Sequence, residues 1–133
     1  MNGVNVRVYS KAKDGSKALS ANFRVREFAC KDGSDVILIA PELVNVLQKV
    51  RNYFARPVTI TSAYRTPSHN KREGGEQFSQ HQYGTAADIV VTGITPARVA
   101  QYVESLMPNT GGIGIYKNFT HIDTRVKKAR WRG

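Results

Sequence analysis

The stretch SQHQYGTAADIVV, residues 79–91, contains the pattern on which the fold prediction rests. Its second half is a short apolar run that is interrupted by one acid, Asp88, and it predicts a strand. A later segment, residues 119–124, reads FTHIDT and predicts another strand that carries His121. Because side chains alternate between the two faces of a strand, Asp88 and His121 point into the same space if these strands are neighbours. His81 would reach that space from the preceding loop.

These three side chains form a reasonable ligand set for a divalent metal ion. Two neutral imidazoles and one carboxylate suit zinc best. Three protein ligands leave a fourth position for water, which is the catalytic rather than the structural arrangement. From the residues alone a structural alternative stays open: Asp88 could be buried as an ion pair with an arginine, and each histidine could be an ordinary surface or core residue.

Helix and strand patterns surround these segments. Residues 41–55 predict a helix, since Pro41 suits a first helical turn and apolar side chains recur at helical spacing, at Leu43, Leu47, Val50 and Phe54. Thr95 and Pro96 open a second helix as its cap and first-turn residue. The predicted strands are residues 58–61, residues 86–91, the hairpin of 112–116 with 119–124, and an alternating stretch at Val4, Val6 and Val8.

This order of elements predicts one domain over residues 1–133 with an α+β fold. We expect a small, mostly antiparallel sheet that carries the metal ligands, with helices packed on one side of it. Residues 66–80 are polar and contain the pair Gly74 and Gly75, so we expect an exposed loop there, in which His69 is solvated.

The composition is that of a globular protein. Hydrophobic residues make up 41% and charged residues 23% of the 133 residues, which argues against a disordered chain, and no apolar run approaches the roughly 20 residues of a membrane span. Cys30 is the only cysteine, which excludes an intramolecular disulfide. We therefore expect histidines and carboxylates to hold any metal, and Cys30 to be a small buried apolar group.

The charge balance predicts anionic partners. Twenty Lys and Arg residues face ten Asp and Glu residues, a net charge of +10, which attracts nucleic acid, anionic membranes or anionic wall polymers. We expect the basic tail, residues 125–132, to be a solvated edge with Trp131 docked on the core. A contact of this tail with wall polymer or nucleic acid is the alternative. The first residues lack a signal-peptide pattern, so we expect synthesis in the cytoplasm and release by another route.

Several motifs together resemble one known family. These are Ser62-Ala63-Tyr64-Arg65-Thr66-Pro67, Asn70, the run from Ser79 to Asp88, Gly112-Ile113-Gly114-Ile115-Tyr116 and Phe119-Thr120-His121-Ile122-Asp123. Over roughly residues 20–131 the chain resembles the zinc D-alanyl-D-alanine carboxypeptidases, peptidase family M15. That family is related to D-Ala-D-Ala dipeptidases, phage L-alanyl-D-glutamate endopeptidases and the hedgehog domain, and the resemblance implies a fold of this type.

The resemblance implies roles for five residues. His81, Asp88 and His121 would hold Zn²⁺. Arg65 would face the substrate and stabilise a developing oxyanion or a substrate carboxylate, because its guanidinium is a planar fork of donors. Ser79 would bind the substrate, although a loop serine that bonds its own backbone is an equal alternative.

The general base is where this chain departs from better-known members of the family. They carry Asp or Glu three residues before the last histidine ligand, and the residue at that position here is Asn118. An amide cannot take a proton from water. Asp123 could replace the base, or it could hold the His121 ring in its metal-binding tautomer. A third possibility is that zinc activates water with little further help.

We therefore expect a zinc metallopeptidase that hydrolyses bonds to D-amino acids in peptidoglycan stem peptides, as a carboxypeptidase or an endopeptidase. Its partners would be the stem peptides and anionic wall polymers, and a phage or prophage cell-wall lysis enzyme fits these features. The alternative is a catalytically silent, zinc-containing module that binds the cell wall or a protein. A nucleic-acid-binding protein would explain the charge but not the His and Asp pattern.

Overall fold

The strands of this computed structural model, which describes residues 5–133, form two sheets. In the smaller sheet, β1 (Arg7–Ser10) pairs antiparallel with β2 (Val36–Ile39). The larger sheet contains β3 (Val58–Ser62), β4 (Ala86–Val91), β5 (Gly112–Ile115), β6 (Thr120–Asp123) and β7 (Ala129–Arg132), in the spatial order β3-β4-β6-β5-β7. Its neighbouring strands run antiparallel except for β5 and β7, which are parallel.

Two long helices, α2 (Pro41–Phe54) and α4 (Pro96–Leu106), pack against the larger sheet. The shorter helices are α1 (Lys11–Asp14) and α3 (Pro67–Arg72), with 3₁₀ helices at Val25–Phe28 and Gln80–Tyr83. The two long helices, α2 and α4, contact each other, and both contact β4. The predicted α+β fold, with a small and mostly antiparallel sheet under helices, is therefore confirmed.

The two long helices form where their sequences indicate. Leu43, Leu47 and Val50 of α2 are fully buried, and this helix ends at Ala55, which adopts a left-handed conformation at φ 55° before Pro57. At the start of α4, the Thr95 hydroxyl accepts a hydrogen bond from the backbone N–H of Arg98. The cap satisfies one of the free N–H groups of the first turn.

The side chains of β4 alternate between the hydrophobic core and the opposite face of the sheet. Ala87, Ile89 and Val91 are buried in the hydrophobic core beneath the helices, together with Ile122 of β6. Side chains between them in sequence project from the opposite face of the sheet. Asp88 is one of these, so the face opposite α2 and α4 is the one that carries the metal-binding candidates.

Some local predictions were wrong. The predicted loop 66–80 contains the helix α3, and the strands β2 and β7 were not predicted. The first strand exists, but Val8 is 69% exposed rather than half-buried, and Val4 lies outside the described residues. These elements are only four to six residues long, too short to show a clear hydrophobic period. Within residues 5–133, no helix is long and apolar enough to cross a membrane.

Two glycines with positive φ give a matched test of this fold. Gly84 has φ +74°, and a Cβ there would lie 2.5 Å from the Leu38 carbonyl oxygen, whereas Gly33 has φ +85° and open space around its Cβ position. We expect Gly33→Ala to lower the free energy of unfolding by about 1–2 kcal/mol through backbone strain alone. Gly84→Ala should lower the free energy of unfolding by clearly more, because the backbone at residue 84 must also move away from the carbonyl group of Leu38. Urea unfolding of both variants measures the difference, and equal losses would contradict this packing.

Candidate metal centre

Pairing between β4 and β6 creates the centre of the site. Asp88 lies directly opposite His121 in the register of these two antiparallel strands. The His121 Nδ1 atom lies 2.9 Å from Asp88 Oδ1, and the His81 Nε2 atom lies 3.3 Å from the same oxygen. All three side chains are buried, and one ligand atom from each lies within 4.8 Å of the others. The structure therefore brings together the three predicted metal ligands.

A short 3₁₀ helix presents His81 to this cluster. The Ser79 hydroxyl caps that helix by accepting a hydrogen bond from the His81 backbone N–H at 3.2 Å. The ring nitrogen Nδ1 lies 2.6 Å from the carbonyl oxygen of Ala63. A carbonyl can only accept, so Nδ1 carries the proton and Nε2 is left with its lone pair toward Asp88. His81 is thus held in a tautomer that can bind a metal.

Asp123 contacts the His121 ring on the side that faces away from Asp88. Its Oδ2 atom lies 2.8 Å from His121 Nε2, the ring nitrogen that faces away from Asp88. With a proton on Nε2, the Nδ1 lone pair of His121 is directed toward Asp88, as a metal ligand requires. The structure therefore places Asp123 where it orients His121, on the side of the ring opposite to the candidate metal position.

Both carboxylate oxygens of Asp123 already accept hydrogen bonds. Its Oδ1 atom accepts from the backbone N–H groups of Gly112 and Arg125 and from Arg125 Nε, and its Oδ2 atom accepts from Arg125 Nη2 at 2.7 Å. Burial alone would raise the pKa of Asp123, but the hydrogen bonds from His121 and Arg125 hold it well below its usual range. A carboxylate in this state is a poor proton acceptor, which favours the orienting role over the role of general base.

The electrostatics of the cluster favour a bound cation. Burial raises the pKa of Asp88, but hydrogen bonds to His121 and His81 outweigh this and hold it at about 2, so Asp88 is a carboxylate at neutral pH. Burial lowers the pKa of His121, but hydrogen bonds to Asp123 and Asp88 raise it above its ordinary value. The position between these groups therefore attracts positive charge, and the donor set of two imidazoles and a carboxylate fits a divalent metal.

Arg65 lies beside the cluster. Its Nη2 atom is 3.7 Å from Asp88 Oδ2, and its guanidinium donates hydrogen bonds to Ser62 Oγ and Asn70 Oδ1. Asn70 is buried and donates in turn to the carbonyl of Glu76 at 2.8 Å. Sequence reasoning quoted Asn70 among the motifs of the resemblance but gave it no role of its own, because its burial depends on the fold.

The cluster forms the base of a cleft of about 500 Å³. Tyr116 and Phe119 stack at 4.4 Å between ring centroids and form one wall with Trp131, whose indole N–H donates to the Tyr116 hydroxyl at 2.9 Å. The opposite side comes from the exposed segment 73–79, which includes Ser79. Asn118 is exposed in the β5–β6 turn and is not among the cleft-lining residues, so no carboxylate occupies the position at which the resemblance leads one to expect a base.

Arg125 and Trp131 are site residues that the sequence analysis assigned to a solvated tail. The Arg125 guanidinium pairs with both oxygens of Asp123 and lies 5.3 Å from the Trp131 ring centroid, and that ring lies 5.1 Å from the His121 ring. Trp131 does dock, as expected, but on the cleft wall. The tail therefore supports the candidate metal ligand His121 through Asp123.

The family model described as Peptidase M15 matches residues 17–123. The matched segment contains His81, Asp88 and His121, whereas Arg125 and Trp131 lie beyond its end. A comparison with curated proteins finds no match.

Replacing Asp123 tests its position behind His121. We expect Asp123→Ala to lower the free energy of unfolding by about 1–3 kcal/mol, because the buried backbone N–H of Gly112 is left without its acceptor. Zinc affinity should fall by about 10- to 100-fold, since the His121 ring loses its orientation. Asp123→Asn is the matched control, because its amide oxygen can still accept from Gly112 N–H, and its losses should be smaller. Denaturant unfolding and zinc competition titration measure both effects, and unchanged zinc affinity in Asp123→Ala would contradict the assignment.

Proposed function

Because this chain belongs to the peptidase M15 family, a family of metal-dependent peptidases, we propose that it is a zinc peptidase which hydrolyses bonds to D-amino acids in peptidoglycan stem peptides. The bond would be that of a D-alanyl-D-alanine carboxypeptidase or of an endopeptidase that opens a stem peptide or cross-link. The observation that carries the proposal is the buried group of His81, Asp88 and His121 at the base of an open cleft.

Zinc is the metal that these donors suit best. Two imidazoles in fixed tautomers and one ionised carboxylate make a three-ligand site, which is typical of catalytic rather than structural zinc. When bound, zinc supplies a Lewis acid that polarises the scissile carbonyl and makes water a better nucleophile. The task of the chain is to hold these three ligands in place, which the hydrogen bonds of His81 to Ala63 and of His121 to Asp123 accomplish.

We assign to Arg65 the stabilisation of negative charge on the substrate. Its guanidinium is held by Ser62 and Asn70 at the edge of the cluster, so its orientation is fixed before a substrate arrives. A fixed donor beside the reacting carbonyl stabilises a developing oxyanion more than the neutral ground state. The same fork could instead bind the terminal carboxylate of a stem peptide in a bidentate manner.

Asp123 is assigned to positioning and not to proton transfer. It touches the far nitrogen of His121, and five donor contacts saturate its oxygens. The proposal therefore relies on metal activation of water without a dedicated carboxylate at the position of Asn118. Ser79 is assigned to the cleft rim, where its oxygen already serves as the helix cap of His81.

The charge of the chain supports the cell wall as the target. A net charge of +10 favours the approach to a surface coated with anionic polymer. Stem peptides have both a carboxylate end and amine groups, and the cleft offers Arg65 together with the acidic side chains of Glu73 and Glu76. The phage or prophage lysis role remains part of the proposal, since it matches a small basic peptidase acting on the wall.

A digest of purified peptidoglycan tests the activity and identifies the bond. We expect the protein with zinc to release D-alanine or to open a cross-link in at least one wall chemotype, as measured by mass spectrometry of the soluble products. Removing zinc with a chelator should abolish the product, and adding zinc should restore it. His121→Gln, which removes one ligand, is the matched protein control and should give no product.

The alternative function is a zinc-containing module that binds the wall without cleaving it. The exposed Asn118 and the saturated Asp123 favour it, because neither can act as a general base. Zinc-loaded protein that sediments with peptidoglycan but yields no product from any chemotype would support this alternative and overturn the peptidase.

Substitutions at Arg65 test the proposed charge stabilisation. We expect Arg65→Ala to lower kcat/KM by about 10²- to 10³-fold, as is typical for loss of an oxyanion donor. Arg65→Lys should recover part of the loss, because it keeps the charge but not the fork. A lower kcat would indicate the oxyanion and a higher KM the substrate carboxylate. Zinc content must equal that of the parent, and an unchanged kcat/KM would contradict the role.

A further inference from the structure

A second cluster of metal-ligating side chains lies outside the cleft. Within residues 5–133, Cys30, Asp32 and His69 form the other group in which one ligand atom from each residue lies within 4.8 Å of the others. None of the three lines the cleft. The sequence analysis treated Cys30 as a small buried apolar group, but the fold brings His69 to it.

Thr66 connects the three residues. Its backbone N–H donates to Cys30 Sγ at 3.5 Å, and its hydroxyl donates to Asp32 Oδ2 at 2.8 Å. The same hydroxyl accepts from the backbone N–H of His69 at 3.2 Å. Asp32 is fixed further by the Ser34 backbone N–H, which donates to Oδ1 at 2.9 Å. The two chain segments that supply the cluster are thus held together by their own hydrogen bonds.

We propose that Cys30, Asp32 and His69 bind a second zinc ion. Thiolate, imidazole and carboxylate are the three side-chain donors that zinc uses in proteins, and they converge here from two distant segments. Cys30 is only 3% exposed, whereas Asp32 is exposed, so the thiol lies at the inner end of the group and water can complete the coordination from outside. Binding replaces the Cys30 thiol proton, which is released to solvent.

This second site would stabilise the segment that holds Arg65. Thr66 follows Arg65 directly, and Asn70, the next residue after His69, accepts a hydrogen bond from the Arg65 guanidinium. A metal that ties His69 to Cys30 would therefore hold one end of this segment, while the hydrogen bonds of Thr66 to Cys30 and Asp32 hold the other. Its role is structural, and its existence does not depend on the proposed peptidase activity.

Cobalt is the probe that separates the two sites. Co²⁺ bound to a thiolate gives a sulfur-to-cobalt charge-transfer band in the near ultraviolet, and Cys30 is the only cysteine of the chain. We expect the reduced, full-length protein to bind two Co²⁺ ions per chain and to show this band. His121→Gln, a ligand variant of the first site, should lose one ion and keep the band.

Variants of the second site should behave in the opposite way. His69→Gln should lose one ion, lose most of the band and keep the first-site cobalt, whereas Cys30→Ser should lose the band entirely. His69→Gln is the safer variant for folding because its side chain is only half-buried, and circular dichroism with urea unfolding checks both variants. One bound ion and no band in the parent protein would overturn the proposal. A band that persists undiminished in His69→Gln would also overturn it, because the thiol would then bind cobalt without this group.

Discussion

The carboxylate of Asp88, buried inside an apolar strand, is the constraint that the surrounding structure satisfies. An isolated buried charge costs several kcal/mol, so such a strand is stable only with partners for its acid. The β4–β6 register supplies His121 directly opposite, the 3₁₀ helix after Ser79 supplies His81, and the end of β3 supplies Arg65. Each partner comes from a different element. The same arrangement that makes burial of Asp88 tolerable also makes it a candidate metal ligand.

A chain of contacts extends this constraint to the C-terminal strand. His121 is oriented by Asp123, Asp123 is held by Arg125, and Arg125 lies against the Trp131 ring of β7. The parallel pairing of β5 with β7 fixes Trp131 beside the metal-binding candidates. Residues that lie beyond the segment matched by the family model therefore support the geometry of those within it.

The sequence predicted those parts of the fold that have a clear hydrophobic period, and it predicted the site through alternation in two strands. Helix α2 and strand β4 were confirmed almost to the residue, because α2 has an apolar stripe and β4 a compact apolar run. Helix α3 was missed because its six residues are polar apart from Pro67. Arg125 could not be distinguished from its basic neighbours, since its partner is defined only by three-dimensional contact. The proximity of Cys30 to His69 depends on tertiary packing in the same way.

The two walls of the cleft differ in how freely their residues can be exchanged. Strand β5 reads Gly-Ile-Gly-Ile, and its glycines leave room for other side chains: a Cβ at Gly114 would lie 2.5 Å from Trp131 Nε1, and one at Gly112 would collide with the Asp123 carboxylate. Larger side chains are therefore excluded at these two positions. On the other side, Gly74 and Gly75 are restricted as well, because Gly74 has φ +71° and a Cβ at Gly75 would collide with Asn70 Oδ1. Phe78 in the same segment is exposed, and exposed loop positions of this kind accept new side chains readily. Substitutions that change the shape of the cleft are accordingly tolerated more readily at exposed loop positions such as Phe78 than at the glycines of β5.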